Sequence, residues 1–124
     1  MQRAIPPDLT HARLPDREDS RQREAIGDLL LAADNFSGAA EEYRAALLAA
    51  PPDALTERCR LLLRLAEAEN NHGDSDAALD ALSRARAAAH TLQDPRLSAR
   101  IAAGMARAIS IRTLARQFAL PRRS

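Results

Sequence analysis

Apolar residues recur along this chain at spacings of three and four, the period of a helix face rather than of a strand. The first stripe is Ile26, Leu29, Leu30 and Ala33, with Asp16 or Asp19 placed to cap its helix and acids in the first turn. Asp34-Asn35 follows as a turn. A second stripe, Ala39, Tyr43, Ala46 and Leu47, predicts a helix from about Ser37 to Ala49 that Pro51-Pro52 ends. Asp53 is expected to cap a third helix over 54–71. There Leu55, Cys59, Leu62 and Ala66 are in line, and Leu61 and Leu65 widen the face. Asn70-Asn71-His72-Gly73-Asp74 reads as its stop, with Gly73 near the left-handed cap position. A fourth helix over 76–91 carries Ala78, Leu82 and Ala85, and Asp94-Pro95 opens a fifth by the cap-then-proline order.

The fifth helix has two apolar stripes. Leu97, Ile101, Met105 and Ile109 form the first. Ile111, Leu114 and Phe118 form the second and, at about 100° per residue, lie nearly opposite. No glycine or proline stands between Met105 and Pro121, so one long helix is expected, with a turn near Ser110 and a short sixth helix as the alternative. Residues 1–15, with Pro6, Pro7 and Pro15, read as a flexible leader and 121–124 as a tail. That leaves 16–120 as one helical domain.

Composition sharpens this picture. A chain of 124 residues suffices for one small domain. It holds 28 Ala, 18 Arg and no Lys, and its aromatic residues are Phe36, Tyr43 and Phe118. Alanine is the strongest helix former, so the class is all-α, and an alanine-rich interior implies close helix approach. Residues 1–83 carry 9 Arg against 16 acids and residues 84–124 carry 9 Arg against Asp94, so a net +1 hides a charge dipole. Arg96, Arg100 and Arg107 fall on one side of the fifth helix, and Arg112 and Arg116 on another. This spread, without aromatics or lysines among it, fits a solvated face or a charge-matched contact better than a nucleic-acid surface.

Candidate chemistry is sparse. His11, His72 and His90 are scattered, without metal-ligand spacing or a nucleophile–base arrangement, so neither catalysis, metal nor cofactor is expected. Cys59 is the one cysteine and lies in an apolar stripe, as a small buried hydrophobe would. No apolar run approaches the ~18 residues of a membrane span, and the first residues lack the apolar core of a secretory signal. A cytoplasmic protein is the expectation.

The stretch from Arg23 to Pro51 resembles a tetratricopeptide repeat. Ile26-Gly27 stand at its L-G pair, Leu30 at its Tyr position, Ala39 and Tyr43 at A-x3-F and Pro51 at the stop, while Arg23 replaces the usual Trp. Gly73 to Ala85 resembles the second half of another such unit. Gly27, Ala66 and Gly104 are spaced by 39 and 38 residues, similar to the roughly 40-residue repeats of bacterial regulators of the maltose-regulator and Rap type.

The resemblance implies a right-handed stack of antiparallel helix pairs, two repeats plus a terminal helix, with a concave groove lined by the first helix of each unit. Carried over by position, the groove would include Arg21, Glu24, Asp28 and Leu31, then Arg60, Leu63, Glu67, Asn70 and Asn71, then Ser98, Ile101, Met105 and Ala108. Glu24 and Asp28 would repel a carboxylate, which sets the chain apart from the subclass that grips heat-shock protein C-termini. An asparagine can donate and accept at once, so Asn70 and Asn71 either hold a peptide backbone or merely end their helix. The implied function is a non-catalytic protein–protein interaction module, an adaptor or the sensing region of a regulator. A small client-holding chaperone is the alternative. Ile111, Leu114 and Phe118 are expected to make the chain a homodimer, since each forgoes about 1.5–3 kcal/mol when left in water.

Overall fold

In the computed structural model, which describes residues 16–118, those residues form five helices. They are α1 (Arg17–Ala32), α2 (Phe36–Ala49), α3 (Leu55–His72), α4 (Ser75–Leu92) and α5 (Pro95–Gln117). The expected leader and tail lie outside the described residues. Four of the helices start on a side-chain cap. Asp16 accepts from the Glu18 and Asp19 N–H groups, Asn35 from Gly38, Asp74 from Ala77 and Asp94 from Leu97. The third differs from expectation. Ala54 is its cap and makes no side-chain bond, because Asp53 sits one residue too early and offers only its carbonyl, to the Leu55 N–H at 2.9 Å.

Each helix packs antiparallel on the next, and α3 also touches α5. The two hairpins α1–α2 and α3–α4 repeat one set of contacts at an offset of 39 residues. Asp34 (φ 59°) and Gly73 (φ 88°) both turn through left-handed backbone. The Asn35 N–H donates to the Leu30 carbonyl as that of Asp74 does to Glu69. Ser20 Oγ reaches the Ala46 carbonyl at 2.9 Å, and Cys59 Sγ reaches that of Ala85 at 3.5 Å. Burial raises the Cys59 thiol pKa above its ordinary value, with the Asp94 charge adding to the shift, so the thiol stays protonated and serves as the serine's packing counterpart.

One core runs through the stack. Among the described residues twelve of its twenty buried apolar side chains are alanine, and that lets the helices approach closely around Tyr43, Leu61, Leu82 and Ile101. The third and fourth helices bury the stripes read from the sequence, apart from Leu55, which is half-buried at the start of the third. The first does not. Ile26 and Leu29 are 41% and 73% exposed, and α1 buries Ser20 and Gly27 instead, with Leu30 and Leu31 half-buried. That line faces α2, where a Cβ on Gly27 would come within 2.7 Å of the Tyr43 ring. On α5 the helix runs unbroken past Ser110, which removes the alternative of a turn there. Its buried positions are Ile101 and Ala108, so Ile109, expected to be covered, is 46% exposed.

Candidate binding cleft between α3 and α5

The first helices of the units lie side by side, and the two seams between them differ. Between α1 and α3 the seam is closed by charge. Arg60 forks onto Glu24 through Nε at 2.8 Å and Nη2 at 2.9 Å, and Arg64 spans Glu24 at 3.3 Å and Asp28 at 3.4 Å. Arg17 meets Glu57 at 3.1 Å, and the buried Tyr43 hydroxyl donates to Asp28 at 2.6 Å. The Arg60 hydrogen bond, aided by the charges of Arg60 and Arg64 and opposed by burial, holds the Glu24 carboxyl below the usual carboxylate range.

A group whose pKa is lowered by folding contributes stability above its ordinary pKa and loses it as pH falls through the lowered value. Replacing Glu24 by Gln should therefore lower the melting temperature at about pH 7 and lower it by less at about pH 4, because the contribution shrinks once the pH drops under the ordinary carboxylate value toward the lowered one. Thermal denaturation at the two pH values checks this. An equal loss at both would mean that Glu24 acts through packing rather than charge.

Between α3 and α5 that lattice is not repeated. At the 39-residue offset Leu63 takes the place of Glu24 and Ala103 that of Arg64, which leaves the seam open. A cleft of about 270 Å³ lies there, lined by Leu63, Glu67 and Asn70 on one wall and Arg100, Gly104 and Arg107 on the other. A Cβ on Gly104 would stand 3.1 Å from Leu82, so the glycine lets α5 approach the floor of the cleft. A second hollow of about 340 Å³ continues along the seam past Arg100 to Thr56, Arg60 and Arg96.

Asn70 is the unusual group here. It is 8% exposed, and its Oδ1 has no hydrogen-bond partner among the described residues. A buried amide oxygen left unpaired costs roughly 1–3 kcal/mol, so such groups call for an explanation. Asn71 differs: its Nδ2 donates to the Glu67 backbone carbonyl at 3.0 Å, a bond within the last turn of its own helix.

The groove residues expected from the sequence separate into three groups. Leu63, Glu67 and Asn70 meet in the cleft. Glu24, Asp28 and Arg60 belong to the ion-pair lattice of the neighbouring seam, and Arg21 is exposed on α1. Ile101 is buried in the core and Met105 half-buried against it, because α5 turns that side toward α4. The sequence reading missed Arg100, Gly104 and Arg107 as one wall. Gly104 stood out as the third repeat position and the arginines as one side of a helix, and those two signals were not joined.

No family model, curated protein or solved structure matches this chain. What the fold defines is an all-α domain of sequentially packed antiparallel helices, none long and apolar enough, among the described residues, to cross a membrane.

Proposed function

We propose that this chain is a protein–protein interaction module of the tetratricopeptide type that holds a peptide segment of a partner in the α3–α5 cleft. Support for the repeat type comes from the matched contacts of the two hairpins at an offset of 39 residues. The observation that carries the binding reading is Asn70, a residue that lines an open cleft and whose buried Oδ1 has no partner among the described residues; a turn of the amide would present that oxygen to a backbone N–H of a bound segment. Removing it costs no hydrogen bond among the described residues. Asn70→Ala is therefore expected to leave the melting temperature within a few degrees of wild type. It should weaken a peptide selected on the wild-type protein about tenfold, the worth of one buried hydrogen bond. Calorimetric titration and thermal melting of both proteins decide it. Lost stability with unchanged affinity would return Asn70 to the role of a helix terminator.

Self-association is a second reading, favoured by the far end of α5. Arg112 reaches Asp76 in the first turn of α4 at 3.5 Å, so the residues after it extend beyond the start of that helix. Leu114 and Phe118 there are 50% and 63% exposed, and Ile111 is half-buried. Large apolar side chains exposed at helical spacing mark contact surfaces. Light scattering over a range of concentrations should show a dimer that Phe118→Glu dissociates. A monomer in both cases ends this reading.

A further inference from the structure

We propose that the cleft selects an extended segment carrying internal Asp or Glu side chains, with a carboxylate between Arg100 and Arg107 and a neighbouring backbone N–H donated to Asn70 Oδ1. The proposal rests on the groove-binding reading above and names its ligand class.

Charge is the first argument. The arginines of the closed seam are all engaged, Arg60 and Arg64 by Glu24 and Asp28 and Arg17 by Glu57. Arg96, Arg100 and Arg107 along the open seam make no ion pair within 4.0 Å among the described residues. The acids beside them are fewer. Asp94 is occupied in capping α5, and Glu67, the one acid among the residues lining the 270 Å³ hollow, makes no ion pair with Arg100 or Arg107 within 4.0 Å. Arg100 and Arg107 are exposed residues at the edge of the cleft, and guanidinium groups favour carboxylates with planar two-point geometry. Glu24 and Asp28 do not oppose this. Their charge is matched within the other seam.

The unpaired acceptor is the second argument, and it is independent of charge. An anion alone cannot satisfy Asn70 Oδ1, which needs a donor. A peptide supplies both groups, since its backbone N–H groups alternate with side chains. The shape is the third argument. The two hollows share Arg100 and run along one seam, so a segment can pass through rather than end inside.

The probes are ten-residue peptides, acetylated and amidated, in which Glu, Gln or Lys alternates with Ala, together with a free-acid Gln–Ala peptide. Each is titrated to millimolar concentration into the isotope-labelled full chain while backbone amide shifts are followed. The expected result is that only the Glu peptide shifts the amides of Leu63–Asn70 and Arg100–Arg107. Arg107→Glu should weaken it at least tenfold with helix content unchanged, and Arg100→Glu serves if that variant fails to fold. Equal binding of the Gln peptide overturns the acid selectivity and leaves the groove reading standing. Binding of the free-acid peptide alone overturns the internal-segment reading in favour of a chain end. No shift in the cleft with any peptide overturns both readings.

Discussion

Replacing Gly27 by leucine is expected to lower the stability of this domain by about 3 kcal/mol, the upper end of what overpacking costs. A domain of this size loses roughly 4–8 °C of melting temperature per kcal/mol, so the transition should fall by more than about 10 °C. The cause is local and rigid. A Cβ at this position would lie 2.7 Å from Tyr43 Cε1 and 2.9 Å from Cδ1, in a ring that is fully buried. The ring cannot swing away freely, because its hydroxyl is tied to Asp28 at 2.6 Å.

The second hairpin shows how the same crossing is made without a glycine. At the 39-residue offset it carries Ala66 and Leu82 where the first carries Gly27 and Tyr43. Gly27→Ala alone should therefore destabilise despite a gain of up to about 1 kcal/mol in helix propensity. Combined with Tyr43→Leu it should recover most of that loss. Denaturant titration of the two single variants and the double variant measures the coupling. Simple additivity would mean that the two hairpins are not built on one plan.

That plan was readable from the sequence where its causes are local. Asn35 and Asp74 cap their helices through side chains three residues from the bonded N–H, and Gly73 supplies the left-handed turn. Tyr43 fell in the buried stripe because its own helix repeats alanines at the right spacing. The reading failed where burial depends on which neighbour a face meets. Ile26 and Leu29 share a stripe by periodicity, yet α1 turns Ser20 and Gly27 toward α2. On α5 the core takes Ala108 rather than Ile109, since Ala108 lies one turn pair beyond the buried Ile101 on the side facing α4. The cleft was half visible. Asn70 could be singled out by its chemistry, but its pairing with Arg100 and Arg107 depends on the register of α5 against α3, which a hydrophobic period does not set.

Two adjacent buried polar residues on α3 should respond in opposite ways to loss of their surroundings. Glu69 is 3% exposed and faces α2, where its Oε1 lies 3.1 Å from Arg44. Asn70, one residue on and about 100° around the helix, lines the cleft, and its Oδ1 has no partner among the described residues. Arg44→Ala would leave a buried carboxylate without its cation, a change that costs ~3–5 kcal/mol when both groups are buried. Arg44 is itself half exposed, so water screens the pair, and a loss of about 2 kcal/mol is the expected result. Adding Glu69→Gln should restore about half of it, because a neutral amide is less costly to bury than a lone charge. Asn70→Ala, which breaks no bond, should stay within about 0.5 kcal/mol of wild type. Urea titration of these variants under one set of conditions separates the roles. If Arg44→Ala proves as mild as Asn70→Ala, the Glu69 carboxylate is not held by that pair. If Asn70→Ala proves as severe as Arg44→Ala, its amide supports the fold and the cleft loses the group that makes it a binding site.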